Sequence, residues 1–457
     1  MQREKFKSRL GFILLSAGCA IGIGNVWRFP YIVGKYGGGA FVLFYIFFLL
    51  IMGIPVMTME FSVGRASQKS AACSFHVLEK PGQKWHFHSY LAIVGNYLLM
   101  MFYTTIAGWM LYYFYGMLTG KFVGADSQQV TTMFSEMTSS PLIMIGWMIF
   151  VVILGFGICS MGLQKGVEKI TKVMMISLLF IMLILAVHSI FLKGGQEGLS
   201  FYLLPDFKRM VDIGIGETIV NAMNQAFFTL SLGIGSMAIF GSYQDKSHSL
   251  LGEAVNIAVL DTFVAFVAGL IIFPACFAFQ VNPDSGPRLI FITLPNIFNE
   301  MVGGRIWGSL FFLFMSFAAL STVIAVFENI MSFGMDLWGW SRKKGAIINV
   351  IIVILGSIPC ILGFNLWAGF HPLGAGSNVL DLEDFLVSNL FLPFGSFIYT
   401  LFCVSRYGWG WDNYIEEVNA GKGLKISCKK AVKIYLKYVL PFILIIILLQ
   451  GLIDKFF

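Results

Sequence analysis

The sequence predicts an all-α polytopic membrane protein built as two five-helix halves inserted in opposite orientations, with one further helix. Three observations carry that prediction. Of 457 residues, 57% are hydrophobic and only 12% are charged, with a mean hydropathy of +0.80. A soluble domain carries about 25% charged residues. Apolar runs long enough to cross a bilayer recur along the chain. Two of those runs carry an interruption: Gly22-Ile23-Gly24 followed by Asn25 and Arg28, and Gly233-Ile234-Gly235 preceded by Thr229 and Ser231. Broken backbone survives at membrane depth only where protein or water covers it, and interrupted spans at matching places in two halves point to a midplane transport site.

The spans are read in order as 10–34, 38–64, 87–118, 141–160, 166–192, 214–242, 250–280, 304–335, 346–366, 379–404 and 431–454, eleven in all. The first opens after a basic start (Arg3, Lys5, Lys7, Arg9) with no cleavable leader apparent, and Gly22 and Gly24 weaken it. The next four are apolar over most of their length. The sixth repeats the glycine break, and the seventh carries Asp261 in Val259-Leu260-Asp261-Thr262-Phe263. The eighth contains Ser321 and Thr322. Segment 288–303 reads as a re-entrant or surface hairpin, because Pro295, Glu300 and Arg305 interrupt it. Basic residues gather in alternate loops, which places the N-terminus in the cytoplasm and, with an odd count, the C-terminus outside the plasma (inner) membrane. Five spans separate the two breaks, so the repeats are 10–192 and 214–404, with 431–454 outside them, all within one transport domain, 1–457.

Composition and motifs set other functions aside. The net charge of +7 is spread over short loops and does not form a nucleic-acid patch. Seven cysteines without a CxxC pair do not make a disulfide framework. The six histidines form no HExxH, and GxSxG and P-loop patterns are absent, so no enzyme is expected. A channel wants a continuous polar lining, where this chain has isolated polar residues at two breaks.

A lone GxG in a helix would be read as close packing against a neighbour. The adjacent Asn25 and Arg28, and the second break, favour an open site instead. The N–H groups of Ile23 and Gly24, at the start of a half-helix, suit a carboxylate. The Ala20 carbonyl and nearby hydroxyls suit an ammonium group. Asp261 is a functional candidate by default, because an ionised carboxylate inside a span costs about 2.5–3.5 kcal/mol; the rival reading makes it a protonated donor at a helix contact. Ser321 and Thr322 alone would be read as bonding back to the preceding turn.

The run from Arg9-Leu10-Gly11 to Pro30, then Gly37-Gly38-Gly39-Ala40-Phe41, Gly53-Ile54-Pro55, Gln225-Ala226-Phe227-Phe228-Thr229-Leu230-Ser231-Leu232-Gly233, Phe291-Ile292-Thr293-Leu294-Pro295 and Ala318-Ala319-Leu320-Ser321-Thr322 resembles the neurotransmitter/amino-acid:sodium symporter family. The likeness runs through essentially the whole chain. It implies a LeuT-type fold with a 5+5 inverted repeat, discontinuous helices 1 and 6, alternating access and two sodium sites. It places Ala20, Asn25, Thr229 and Asp261 at the first site, completed by the substrate carboxylate. The second takes carbonyls of Gly18, Ile21 and Ala318 with hydroxyls of Ser321 and Thr322. Around the substrate it places Ala20, Gly22, Ile23, Gly24, Leu99, Tyr103, Phe228, Thr229, Ser231, Ile234, Thr322 and Val326, with Cys19 nearby.

The resemblance also makes Gly22 discriminating. Monoamine carriers of the family have Asp there, so Gly22 implies a ligand that brings its own carboxylate. Chloride-dependent members have Asn and, one turn later, Ser where this chain has Asp261 and Ala265, which implies chloride independence. A carboxylate freed of sodium invites proton antiport on the return step. Arg28, Gln225, Phe228 and Asp384 are the expected outer gate; Arg3, Phe6, Tyr243 and Asp336 are the inner one. Phe6 stands where the family usually has Trp. The fifth helix keeps Gly166 but has Ile176 where Pro is frequent, which puts sodium release by unwinding in doubt. With an apolar pocket and no charged partner beyond Asp261, the expected cargo is a neutral hydrophobic or aromatic L-amino acid, carried by a monomer embedded in lipid. A sensor or a channel on the same fold is the alternative.

Overall fold

Six helical stretches open into a wide π turn, and five of them meet a proline two residues later: Gly24–Arg28 before Pro30, Leu49–Gly53 before Pro55, Leu289–Thr293 before Pro295, Leu386–Phe391 before Pro393 and Tyr435–Val439 before Pro441. Proline lacks the N–H and its ring strikes the carbonyl four residues back; a widened turn relieves that clash without ending the helix. In this way the computed structural model, which describes residues 4–281 and 289–456, keeps its helices continuous through prolines that would break them in water.

Among the described residues, nine helices are long and apolar enough to cross a membrane: Gly39–Ser67, Trp85–Thr119, Pro141–Ser160, Leu163–Ile190, Leu250–Ala278, Gly304–Trp338, Arg342–Leu362, Val379–Val404 and Lys430–Ile453. Arg9–Ala20 and Gly24–Lys35 form a tenth as a pair bent by 57°. The expected sixth span is two shorter helices, Ile215–Phe228 and Ser236–Ser242, so eleven is reached only by counting that pair as one span. The described residues are mostly helical, with only isolated bridges among them, between Gly38 and Pro205 and between His248 and Lys422.

The first break lies slightly before its expected place. Ile21 is extended (φ −70°, ψ 96°) while Ile23 is already helical (φ −56°, ψ −30°), so the chain turns at Ile21–Gly22. The second is longer than expected, spanning 229–235, with Ser231 at φ +51° and Gly233 at φ +110°. A serine in the left-handed region costs about 1–3 kcal/mol and persists only where its surroundings impose it. The tenth span lies hard against this break. A side chain at Gly233 would strike the Leu392 carbonyl, and one at Gly395 would strike the Gly233 carbonyl, so the two backbones touch.

Gly304–Trp338, the eighth span, is the most buried and forms the spine of the core against Trp85–Thr119. The stretch expected as a hairpin at 288–303 is packed into the protein at its described start. Leu289, Ile290 and Phe291 are buried, and Phe291 packs on Trp27, Trp109, Tyr113 and Phe134. Residues 282–288, the last of which opens that stretch, lie outside the described residues.

Candidate functional site

The two breaks face each other across a cavity of about 370 Å³. It is lined at its base by Ala20, Gly22, Ile23, Gly24, Asn25, Thr229, Ser231 and Thr322, at its side by Leu99, Phe102, Tyr103 and Ile106, and at its mouth by Trp27, Arg28, Leu380 and Asp384. Ile234 and Val326 are fully buried and lie outside this lining. The Ile234 side chain turns instead against Gly95 of the third span. The third and tenth spans (Phe102, Ile106, Val387, Leu392) supply the apolar wall.

Gly22 is glycine for a spatial reason. A Cβ there would sit 2.6 Å from the Tyr103 hydroxyl and 3.0 Å from Thr322 Oγ1. Tyr103 in turn accepts the Ile23 N–H at 3.1 Å, so this half-helix N-terminus is held by a phenol at the height where an anionic group would compete for it.

Behind the base sits Asp261, fully buried. The Asn25 amide donates to Asp261 Oδ1 at 2.8 Å and lies 3.2 Å from Thr229 Oγ1; Thr229 donates to Asp261 Oδ2 at 2.9 Å. Asn25 Oδ1 accepts the Gly22 N–H at 3.1 Å, which ties this cluster to the break. The Tyr45 hydroxyl is an unforeseen neighbour of the carboxylate. Every partner is neutral, and among the described residues no basic side chain pairs with Asp261. A buried carboxylate without a countercharge is costly, and a small cation beside it removes that cost.

A second oxygen cluster joins the first break to the eighth span. Thr322 Oγ1 lies 3.1 Å from the Gly18 carbonyl, 3.3 Å from that of Ile21 and 3.4 Å from that of Ala318, while Ser321 donates to Ala318 at 2.9 Å. These five oxygens share two hydroxyl protons. The surplus of acceptors in a dry setting is the donor set a hard cation takes.

Around the mouth, Arg28 stacks over the Phe228 ring at 4.0 Å. Asp384 instead accepts from Ser388 at 2.7 Å, and Arg28 and Asp384 are not in ion-pair contact. Both amide atoms of Gln225 are buried without a partner. Of the four expected outer-gate residues, Arg28, Phe228 and Asp384 line the cavity without being latched, while Gln225 is fully buried outside that lining.

The opposite end is closed. Phe6 packs edge-on against Tyr243 (5.7 Å) and Phe12 (5.5 Å). Tyr243 donates to Glu328 at 2.6 Å, and Asp336 accepts the Ser70 N–H at 2.8 Å and pairs with Lys69 at 3.5 Å. Arg3 lies outside the described residues. The stronger closure was not foreseen. Arg342 clamps buried Glu328 through both terminal nitrogens at 2.8 Å and also reaches Glu4 at 2.9 Å. Glu168 accepts the N–H groups of Lys7 (2.8 Å) and Ser8 (3.1 Å), and Arg9 pairs with buried Glu253 at 2.8 Å. The sequence reading also passed over Glu60, fully buried in the second span. Its carboxylate caps the second half of the broken sixth span, accepting from Gly233 and, at 3.2 Å, from Met237. Its signal was available: an acidic residue inside an apolar run.

Comparisons with known proteins agree with this architecture. The family model of the sodium:neurotransmitter symporter family matches residues 3–135 and 127–456. An uncharacterized sodium-dependent transporter of Bacillus subtilis (strain 168) is 32% identical over 398 residues, 87% of each chain. One from Haemophilus influenzae is 30% identical over 467 residues, covering 99% of this chain and 98% of its own. The rat sodium- and chloride-dependent taurine transporter is more distant, at 28% over 80% of this chain and 66% of its own. The crystal structure of MhsT in complex with L-phenylalanine superposes with a TM-score of 0.87 at 36% identity, over 98% of this chain and all of that one. Broken helices, a buried carboxylate beside them and full-length likeness lead to one conclusion: the chain belongs to the sodium:neurotransmitter symporter family, whose members are integral-membrane, sodium-dependent transporters and not enzymes.

Proposed function

We propose that this protein carries a neutral hydrophobic or aromatic L-amino acid together with sodium, without chloride, by alternating access. The observation that carries this reading is the buried Asp261 carboxylate, held by Asn25 and Thr229 with no basic partner. In this reading Asp261, the Asn25 and Thr229 oxygens and the Ala20 carbonyl take one sodium ion. The substrate carboxylate completes its shell from the cavity side while meeting the N–H groups of Ile23 and Gly24 and the Tyr103 hydroxyl. Ion and amino acid then stabilise each other through a shared contact, and the coupling is reciprocal. The oxygens of Gly18, Ile21, Ala318, Ser321 and Thr322 take a second sodium. The fixed charge of Asp261 does the balancing that chloride would otherwise do, and a proton takes sodium's place on the return step.

The ligand must supply a carboxylate, because Gly22 has no room for one. Its side chain enters a wall of Leu99, Phe102, Ile106 and Val387, which suits an aliphatic or aromatic group; L-phenylalanine bound to MhsT is consistent with this. The described geometry, with its mouth open past Arg28 and its far end clamped, corresponds to a state loaded from outside.

The test is uptake into proteoliposomes under a sodium gradient with chloride replaced by gluconate. Saturable uptake of neutral amino acids is expected, with Asp261→Asn inactive or active only when chloride is restored. Full chloride-free activity of that variant, or a monoamine substrate with no competition by amino acids, would overturn the proposal. An imposed pH gradient tests the return proton: uptake indifferent to it removes that step.

A further inference from the structure

The loop between the second and third spans holds a constellation the transport site does not use. His76 and Glu79 lie three residues apart at the end of a short helix, Ser74–Leu78. The chain then turns at Lys80–Gln83, each bonding the other at 3.0 Å, and brings His86 back onto the same carboxylate. His76 Nδ1 stands 3.2 Å and His86 Nδ1 2.6 Å from the same oxygen, Glu79 Oε1. The two rings are 5.6 Å apart and nearly perpendicular, at 88°. The three ligand atoms lie within 4.8 Å of one another.

We propose that His76, Glu79 and His86 bind one Zn²⁺ ion, with water completing a tetrahedral shell. Two imidazoles and one carboxylate suit zinc, with bonds of about 2.0–2.2 Å and ligand–ligand edges of about 3.3 Å. The His76–Glu79 distance already matches such an edge, and His86 needs to withdraw by less than 1 Å. The supporting shell is in place. Glu79 Oε2 accepts the His86 backbone N–H at 3.1 Å, which fixes the carboxylate and leaves Oε1 for the metal. Zinc displaces the protons that the two Nδ1 atoms share with Oε1, and small rotations of the rings turn both nitrogens from the oxygen to the ion.

The platform is rigid and reachable. Phe75, next to His76, packs on Phe402 at 4.6 Å, and Trp85, next to His86, donates to the Tyr407 carbonyl at 2.7 Å. The loop is thereby fastened to the end of the tenth span, while the His76 side chain remains 76% exposed. An ion here would brace this loop against that end.

Equilibrium dialysis of the untagged full chain in detergent against micromolar zinc chloride tests the site. One zinc per chain is expected, and His76→Ala and His86→Ala should each weaken it by about tenfold or more. Glu79→Gln should do the same. His76 is exposed, so its variant is expected to keep the wild-type melting temperature, which separates loss of a ligand from loss of the fold. Absence of zinc binding at micromolar concentration, or binding unchanged in both histidine variants, overturns the proposal.

Discussion

A methylene at position 22 has nowhere to go, and that constraint tests how the substrate is read. Gly22→Ala should lower amino-acid affinity by about tenfold or more, since the new carbon displaces the Tyr103 hydroxyl from the Ile23 N–H. Scintillation proximity binding in sodium buffer measures it; wild-type affinity would show that Tyr103 and the break are not part of the site. Glu60 is a separate case. Glu60→Gln replaces a charge-assisted acceptor with a neutral one at Gly233 and Met237, and about 1.5–3 kcal/mol of stability should go with it, read as a lowered melting temperature in detergent. At this scale much was legible. Gly22, Asn25, Asp261, Ser321 and Thr322 stand out because each is polar or helix-weakening within an apolar run. The side-chain wall was less so: Val326 lies one turn from Thr322 on the same helix and Ile234 lies in the second break, but which of them meets the cavity is decided by how the third and tenth spans pack there, which no local pattern records.

Two helices are broken, and they break for different reasons. The first bends at Ile21–Gly22, where the Gly18 and Ile21 carbonyls are drawn toward Thr322. The sixth unwinds over seven residues, 229–235, where Gly233 and Gly395 bring backbones into contact and Glu60 replaces the missing helical acceptors. The existence of both breaks could be read from glycine placement; the length of the second could not, because it depends on partners in the second and tenth spans. The fifth span differs from the others. Its π turn, Leu163–Glu168, has no proline behind it, and Lys169–Ile190 is continuous. It is instead pinned by Glu168 to Lys7 and Ser8. In the proposed cycle, releasing a second sodium through the closed end calls for loss of those bonds, and Glu168→Gln should speed the appearance of inward-open molecules. The closing clamp makes a sharper prediction. Arg342→Ala strands buried Glu328, a penalty of about 3–5 kcal/mol borne only by the closed end. A cysteine placed at Phe12 should then react with an impermeant thiol reagent from the cytoplasmic side several times faster than with Arg342 intact. An unchanged rate would mean that the Glu328–Arg342 pair does not hold the inner end shut. These pairs escaped the sequence reading because Glu4 and Arg342 are joined only by folding.

For the molecule as a whole, the two-sodium coupling proposed above has an energetic consequence. One charge moved through 100 mV yields about 2.3 kcal/mol, so two yield about 4.6 kcal/mol before the sodium gradient is counted. That is enough to concentrate a zwitterion more than about a thousandfold. The cavity opens past Arg28 and Asp384, and the opposite end is tied by several charged pairs. In the proposed cycle this state binds from outside and must break those pairs to deliver. The distribution of basic loops predicts an N-terminus in the cytoplasm; an epitope appended after Phe457 should then be accessible on intact cells, and its protection would reverse the topology. The central claim is that Na⁺ and the amino acid are bound by the same pair of broken helices, each completing the other's site. Calorimetric titration of the amino acid over a series of sodium concentrations tests it most directly. Affinity should rise steeply with sodium, and the amino acid should tighten sodium by the same factor; an affinity independent of sodium would contradict the account.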